Sequence, residues 1–405
     1  MNEQTPDIAP WRDPMMPGAP LLPQPGWSIP PYHRWTFQHM REMTPTAQVW
    51  RGPGPVMALD EAPEPLGGLS LRLPGCDGSE TLDAFLDRSW TDGFLVLHRG
   101  RIVFERYMNG MIRRRPHLSM SVAKSIAGTV AGILNHRGVL DLGAPVPAYL
   151  PELAATAYRD ATVQNLLDMT SGVVFDESYD TPGSHMQKLG LACAWGGGGR
   201  SRPEGWPETI WQLVLTLAEQ DGPHGQVFRY RSIETDVLGF LMERATGLPL
   251  AELVSEVLWA PMGAEEDAAY TVDLGGFALA DGGFNATLRD YGRYGQLLVD
   301  GGRRGDRQIV PEAWIEACRF GRGGRFEGIY AEVLPGGGYH NKIWQVDRSR
   351  GSFVARGIYG QFIFVDPQAQ YAAVKLSTWP TPLSVPGAVQ TIAAFQAIGA
   401  ALEAA

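Results

Sequence analysis

The chain contains the stretch Ser-Met-Ser-Val-Ala-Lys-Ser at residues 119–125. The small and apolar residues that follow, at 126–136, predict a buried helix that is ended by Gly138. Residues three apart in a helix share a face, so Ser121 and Lys124 are expected to point into the same space. The sequence therefore brings a hydroxyl and an amine together at the start of a helix.

This pair of side chains suits nucleophilic catalysis. A serine hydroxyl becomes an effective nucleophile when a base takes its proton. A lysine can be that base when it is neutral, a state that burial or a second nearby cation favours. Free backbone N–H groups at the helix N-terminus would stabilise an oxyanion. The S-x-x-K pattern also occurs by chance, as a capping serine and a solvated lysine, so other motifs must decide between the two interpretations.

Composition narrows the class of protein. The chain has 405 residues, enough for two or three domains, and an apolar fraction that is ordinary for a soluble enzyme. Its net charge of −10 argues against nucleic acid or an anionic membrane as the main partner. No apolar run approaches membrane-spanning length, and the N-terminus has no basic segment followed by an apolar core. We therefore expect a cytoplasmic protein with no membrane or nucleic-acid partner.

Metal and disulfide chemistry are not indicated. The three cysteines, Cys76, Cys193 and Cys318, are far apart and imply no disulfide framework. The eight histidines are scattered without H-E-x-x-H spacing. We expect neither a metal nor a cofactor.

Strands are predicted towards both ends of the chain. Residues 94–98 and 101–105 flank Arg99-Gly100 in the pattern of a two-residue β-hairpin. A long helix is predicted at 385–402. Runs dense in β-branched and aromatic residues predict three further strand regions, at 342–346, 353–365 and 371–377.

Residues 139–260 show several helical segments and no convincing strand. Thr162 and Ser232 are placed as N-caps of two of these helices. A stretch rich in glycine, serine and aspartate at 176–205 predicts a long loop that contains Tyr179 and Trp195.

The order of these elements predicts an α/β plus all-α fold. An antiparallel sheet would be built from both termini and flanked by helices, with a helical domain inserted between the two halves. We place a proline-rich lead at 1–30, a discontinuous α/β domain at 31–118 and 270–405, and the helical domain at 119–269. Interfaces between such domains are favoured places for active sites.

Tyr230-Arg231-Ser232 lies before one of the capped helices. A phenol at a helix start can accept and donate protons when a nearby cation lowers its pKa, and Lys124 is the obvious cation. The alternative is a partly buried tyrosine whose hydroxyl bonds the backbone.

Four motifs occur in the order seen in the penicillin-recognising serine hydrolases. They are S-V-A-K at 121–124, N-L-L-D-M-T-S-G at 165–172, Y-R-S at 230–232 and G-I-Y-G-Q at 357–361. Within that family the sequence is similar to the nylon-oligomer (6-aminohexanoate-dimer) hydrolases, relatives of class C β-lactamases and family VIII carboxylesterases. Further blocks, from P-P-Y-H-R-W at 30–35 to V-K-L-S-T-W-P at 374–380, extend the resemblance over most of the chain. It implies a β-lactamase-like fold.

The resemblance also implies roles for individual residues. Ser121 resembles the acylated nucleophile, Lys124 the base that activates it, and Tyr230 the residue that passes a proton to the leaving group. The backbone N–H groups of Ser121 and Ile358 would form the oxyanion hole, the latter from an edge strand. Four residues are expected to contact substrate: Tyr179, Trp195, Asp281 and Tyr359.

The sequence departs from the family pattern at two places. The usual K-T-G motif is replaced by G-I-Y-G at 357–360, so no lysine there meets a substrate carboxylate, which argues against a β-lactam substrate. Gly190 stands where some nylon-oligomer hydrolases have an acidic residue for the substrate's ammonium group. Asp281 or Asp180 would then have to replace it.

We expect a serine hydrolase that cleaves a small linear amide or ester through an acyl-enzyme. A carboxylesterase with incidental amidase activity is the main alternative. A β-lactamase or D-alanyl-D-alanine peptidase is disfavoured by the absence of K-T-G. A non-catalytic binding module is disfavoured because it would not need Ser121, Lys124 and Tyr230 together. The resemblance makes a homodimer plausible.

Overall fold

The computed structural model describes residues 26–193, 195 and 202–404. Its strands are β1 (Thr46–Val49), β2 (Asp60–Glu61), β3 (Ser70–Leu71), β4 (Glu80–Thr81), β5 (Thr91–His98), β6 (Arg101–Tyr107), β7 (His117–Leu118), β8 (Ala268–Thr271), β9 (Phe284–Ala286), β10 (Arg303–Arg304), β11 (Arg307–Gln308), β12 (Gly338–His340), β13 (Ile343–Asp347), β14 (Ser352–Gly357), β15 (Gln361–Asp366) and β16 (Tyr371–Ser377). Its α-helices are α1 (His33–Thr36), α2 (Met40–Met43), α3 (Leu82–Arg88), α4 (Val122–His136), α5 (Val163–Leu167), α6 (His185–Ala192), α7 (Ile210–Leu215), α8 (Ile233–Thr246), α9 (Leu250–Val254), α10 (Ala260–Met262), α11 (Leu288–Val299), α12 (Glu312–Phe320), α13 (Ile329–Val333) and α14 (Val385–Ala404).

The main sheet joins the two ends of the chain. Its eight strands lie in the order β12-β13-β14-β15-β16-β5-β6-β2. Neighbouring strands are antiparallel except for β2, which runs parallel to β6. The junction is the pairing of β16 with β5, in which Tyr371 lies opposite His98. The predicted fold class, an antiparallel sheet from both termini with helices around it, is confirmed. The domain boundaries remain a prediction.

Alternate residues of each central strand face opposite layers of helices, as the two-residue period of a strand requires. Leu95 and Leu97 belong to the apolar core that contains α4 and α11. Phe94 and Val96 belong to the core on the other face, where the Phe94 ring stacks on Phe395 of α14 at 6.1 Å. Because both faces are covered, the strands read as nearly continuous apolar runs.

The hairpin predicted around Arg99-Gly100 is confirmed. Its two turn residues have φ values of 52° and 76°, the left-handed conformation that two-residue hairpin turns require. The flanking strands are β5 and β6, which pair from His98 and Arg101 outward. Thr162 also caps α5 as predicted, by accepting a hydrogen bond from the Asn165 N–H.

The single strand predicted at 353–365 is wrong. The chain leaves β14 at Gly357, makes a short 3₁₀ turn at Ile358–Gly360, and returns along β15. Within that turn Tyr359 adopts a left-handed φ of 60°. Ile358 therefore lies in a turn between two interior strands and not on an edge strand, because the edges of the sheet are β12 and β2.

A second, four-stranded sheet was not predicted. It has the order β1-β8-β9-β7. Its strands are only two to four residues long, too short to give a sequence pattern. The sheet matters for the site because β7 ends at Leu118, directly before Ser119.

The last helix corrects another expectation. By length and composition, α14 is apolar enough to span a membrane, with a mean hydropathy of 1.4, although no such run was expected. Here its buried residues, among them Phe395 and Ile398, pack on the main sheet. Of the predicted N-terminal lead, only residues 26–30 are described, and Trp27 among them is buried against Phe37.

Candidate active site

The backbone before α4 presents Ser121 at the start of the helix. Met120 adopts a left-handed φ of 48°, which is uncommon and costly for a side chain of this kind. The hydroxyl of the preceding Ser119 donates to the Phe284 carbonyl at 3.0 Å and holds the segment to β9. Ser121 takes the N-cap position, but its side chain makes no capping bond. Its hydroxyl is therefore available for chemistry.

Lys124 lies beside Ser121, as the three-residue spacing predicts. Its Nζ donates to Ser121 Oγ at 2.9 Å and to the Asp281 carbonyl oxygen at 2.7 Å. A third contact, at 3.3 Å, joins Nζ to the Asp281 carboxylate. Three acceptors match the three protons of an ammonium group. The geometry is that of a charged lysine.

The charge of Lys124 differs from the expectation of a neutral base. Burial lowers the pKa of Lys124, whereas the negative charge of Asp281 and, to a smaller extent, other nearby acidic groups raise it. The net shift of the Lys124 pKa is upward. Among the described residues, burial lowers the pKa to about 7 at two other buried lysines, Lys342 and Lys375. Nζ of Lys342 has no hydrogen-bond partner within the described part of the chain. Lys342 was not identified from the sequence.

Tyr230 completes the group. Its ring centre lies 5.2 Å from Nζ of Lys124, and its ring stacks on Trp344 at 5.6 Å. Burial raises the pKa of Tyr230, while the Lys124 charge and hydrogen bonding to Ser121 and Lys124 oppose that rise. The net shift is upward, contrary to the lowering expected from the sequence. At neutral pH the resting site thus holds a neutral phenol and a charged amine.

Two backbone N–H groups form a candidate oxyanion hole. Within the described residues, neither the N–H of Ser121 nor that of Ile358 donates to a protein acceptor. Gly357 lets the two segments approach closely. A Cβ placed there would lie 2.6 Å from the Ser119 carbonyl oxygen and 2.9 Å from the Ser121 nitrogen. The absence of a side chain at 357 is therefore a condition for this geometry.

An open cavity of about 870 Å³ leads to Ser121. Tyr230, Ile358 and the predicted substrate residue Tyr179 line it, together with Trp344 and Arg356. Its size is within the range of small-molecule sites. Further described residues that line it are Ile29, Glu177, Ser178, Asp180, Thr181, Ile329, Tyr330, Val333, Gly357, Pro380, Thr381, Pro382, Leu383, Ser384 and Val385.

Three predicted substrate residues are not part of this lining. The carboxylate of Asp281 is buried against Lys124, with 5% of its side chain exposed. Tyr359 is buried against Phe37, at 5.2 Å between ring centres, because its left-handed backbone turns the side chain away. Trp195 donates to Thr271 Oγ1 at 3.3 Å. Of the acidic residues considered for a substrate ammonium group, only the exposed Asp180 lines the cavity.

Glu177 is a site residue that the sequence analysis missed. Its carboxylate accepts from the Ser232 N–H at 2.8 Å, from the Ser232 hydroxyl, and from the Tyr179 hydroxyl at 3.2 Å. The prediction that the Ser232 side chain caps α8 is therefore wrong. Its hydroxyl donates to Glu177 instead. Burial raises the pKa of Glu177 to about 7, against the opposing charge of Lys124. Its position in the loop next to Tyr179 was the available signal.

The sequence profile of the Beta-lactamase family matches residues 81–396 of the chain, including Ser121, Lys124 and Tyr230. The chain belongs to the beta-lactamase family. This beta-lactamase-family protein is thus a serine hydrolase. Its fold is the one expected for the family.

Two relatives align over nearly the whole beta-lactamase-family chain. The 6-aminohexanoate-dimer hydrolase of Paenarthrobacter ureafaciens is 36% identical over 372 residues, which cover 90% of each protein. The structure of a provisional 6-aminohexanoate-dimer hydrolase from Bacillus anthracis has a TM-score of 0.84 and 31% identity, and covers 93% of this chain and 96% of that one. Esterase EstB of Burkholderia gladioli is 32% identical over 204 residues, 45% of this chain and 49% of that protein.

Proposed function

We propose that this hydrolase cleaves small linear amides, and esters with them, through an acyl-enzyme on Ser121. The observation that carries the proposal is the 2.9 Å hydrogen bond between Lys124 Nζ and Ser121 Oγ beside a substrate-sized cavity. The relative at 36% identity is named as a hydrolase of 6-aminohexanoate dimer, which supports an amide as first choice. Its esterase relative supports esters as the second.

The proton path follows from the resting charges. A charged ammonium and a neutral phenol cannot take the Ser121 proton, so the reactive form is the one in which Lys124 and Tyr230 together have lost one proton. Oγ of Ser121 then attacks the substrate carbonyl carbon, and its proton passes to this pair. The oxyanion accepts hydrogen bonds from the N–H groups of Ser121 and Ile358.

Collapse of the tetrahedral intermediate breaks the bond to the leaving group. Tyr230 donates the proton that the departing amine or alcohol needs, and the acyl group stays on Ser121 as an ester. Water then attacks that ester, with the Lys124–Tyr230 pair taking and returning its proton. The products are the acid and the amine or alcohol, and the enzyme regains its starting state.

Intact-mass measurement tests this proposal. A slowly deacylated activated ester should add one acyl mass to the enzyme, and peptide mapping should place it on Ser121. The Ser121→Ala variant should take up no acyl group, whereas the Ser79→Ala control, at an exposed serine outside the cavity lining, should acylate like the parent. An adduct that persists in Ser121→Ala would contradict the proposal.

A further inference from the structure

A left-handed residue adjoins each of the two candidate oxyanion donors. Met120, with a φ of 48°, directly precedes Ser121, and the Ser121 N–H belongs to the peptide that joins the two residues. Tyr359, with a φ of 60°, directly follows Ile358. Such a backbone is unfavourable for residues with side chains, and it persists only where the surrounding structure holds it. The direction of the donors thus depends on what holds these two residues.

One small apolar cluster contains both left-handed side chains. Its buried members are Trp27, Phe37, Met40, Leu118, Met120 and Tyr359. The Phe37 ring meets the Tyr359 ring edge to face, at 5.2 Å between ring centres. The Phe37 carbonyl oxygen accepts a hydrogen bond from the Leu118 N–H at 2.8 Å, at the end of β7 and two residues before Met120. Phe37 therefore contacts the support of both donors.

The same N-terminal segment reaches the turn by a second route. His33, on α1, donates from Nε2 to the Trp379 carbonyl oxygen at 3.0 Å. The Trp379 N–H in turn donates to the Tyr359 carbonyl oxygen at 3.1 Å. The rings of His33 and Tyr359 are also 6.0 Å apart between centres. Phe37 directly follows α1, so one short segment makes both contacts with the turn.

Phe37 is not part of the cavity surface. It is completely buried, and neither Phe37 nor Met120 nor Tyr359 is among the described residues that line the cavity. A substrate in the cavity therefore does not touch the Phe37 side chain. Any effect of Phe37 on the reaction must pass through the backbone that carries the two N–H donors.

We propose that Phe37 is a positioning residue for the oxyanion hole: it holds the two left-handed residues in place, and with them the spacing and direction of the two N–H donors. An oxyanion hole works because its donors are fixed before the charge develops, so a small displacement weakens transition-state binding more than substrate binding. This inference rests on the proposed function, in which Ser121 attacks a carbonyl group and creates the oxyanion.

A pair of inhibitors separates the oxyanion hole from the rest of the cavity. With pentyl trifluoromethyl ketone, Oγ of Ser121 adds to the carbonyl carbon, the carbonyl oxygen becomes an oxyanion, and the hydroxyl proton passes to the Lys124–Tyr230 pair. The corresponding alcohol has no carbonyl group to attack, so it reports only on binding in the cavity. Inhibition constants for both compounds are measured against turnover of an activated ester.

Phe37→Leu removes the ring and should weaken inhibition by the ketone at least about tenfold, whereas the inhibition constant of the alcohol should change less than about twofold. In the same variant kcat for the ester should fall while KM changes little. Phe85→Leu, at a buried phenylalanine of α3 in the other core, is the matched control and should keep the ketone-to-alcohol ratio of the parent. Thermal melts establish that each variant is folded, and Phe37→Met, which fills more of the same space, serves the same test should the leucine variant not fold.

Two results would overturn the inference. One is a ketone-to-alcohol ratio that stays at the parent value in a folded Phe37 variant, and the other is an equal loss of that ratio in Phe37→Leu and Phe85→Leu, which would indicate general destabilisation. The proposed function fails by a different measurement, when Ser121→Ala still acylates. The two failures are therefore distinguishable.

Discussion

Nζ of Lys124 lies 3.3 Å from the carboxylate of Asp281, and both side chains are buried. The same ammonium group donates to Ser121 Oγ at 2.9 Å. Asp281 therefore holds the proton on the amine that must later take part in deprotonating the nucleophile. It acts on the reaction through Lys124, as a positioning residue, and not by touching substrate.

The first prediction concerns the pH dependence of kcat/KM. The rate should rise with pH as the Lys124–Tyr230 pair loses a proton, because the structure raises the pKa of both groups. In Asp281→Asn the negative charge that raises the pKa of Lys124 is gone, so the acid limb should move to lower pH, by about one unit or more. The profile is measured with a neutral ester. A limb that stays in place would contradict the assignment, and the exposed Asp306→Asn serves as the control.

The second prediction separates amide from ester chemistry through Tyr230. An amine leaves poorly unless it is protonated, whereas a phenoxide needs that help less. Tyr230→Phe should therefore lower amide turnover more than turnover of an activated phenyl ester, with at least a roughly tenfold gap between the two losses. Equal losses would show that Tyr230 acts on Ser121 or orders the site instead.

The third prediction concerns Gly357. A Cβ at this position would lie 2.9 Å from the Ser121 nitrogen, so Gly357→Ala should push the β14 end away and misplace the Ile358 N–H. We expect kcat to fall by about 10²–10³-fold, the usual effect of losing one oxyanion donor. Steady-state kinetics measure the effect. Gly68→Ala, where an added Cβ meets nothing within 4 Å, should leave kcat unchanged, and similar losses in both variants would contradict the role.

The fourth prediction concerns stability and Glu234. Burial raises the pKa of Glu234 from 4.5 to about 7, against the charge of Arg231, so the folded state holds a proton that the unfolded chain releases. Its contribution to stability is present below pH 4.5 and is lost as pH rises towards 7. The melting temperature of Glu234→Gln should therefore fall less between pH 5 and pH 8 than that of the parent, by a few degrees or more.

Thermal scans across that pH range provide the measurement. Glu252→Gln, at an exposed position on α9, is the matched control and should follow the parent curve. If Glu234→Gln and the parent lose stability equally over the same range, Glu234 does not carry the folded-state proton.

The parts of the molecule that could be predicted have local causes. The hairpin of β5 and β6 follows from its alternation and its turn, and the pairing of Ser121 with Lys124 follows from helical periodicity. The direction of the Tyr359 side chain could not be predicted, because one left-handed residue reverses it. The net pKa shift of Lys124 likewise depends on Asp281, which lies more than a hundred residues away in sequence.

Glu177 and Arg356 show a second limit. Each lies next to a residue that the sequence did identify, Tyr179 and Gly357 respectively. A charged residue in a loop or at a strand end is most often solvated, and only the assembled cavity shows that both face inward. Their position is set by tertiary packing rather than by any pattern in the chain.

The pairing of β5 with β16 has a consequence for the order in which activity can arise. The nucleophile helix is synthesised early, but the turn that offers the Ile358 N–H is held between β14 and β15, and those strands reach the N-terminal hairpin only through β16. A nascent chain that stops before Tyr371 has its serine and lysine but no closed sheet to align them with the oxyanion donor. Catalytic competence is thus a late event of biosynthesis, gained when the last strand docks.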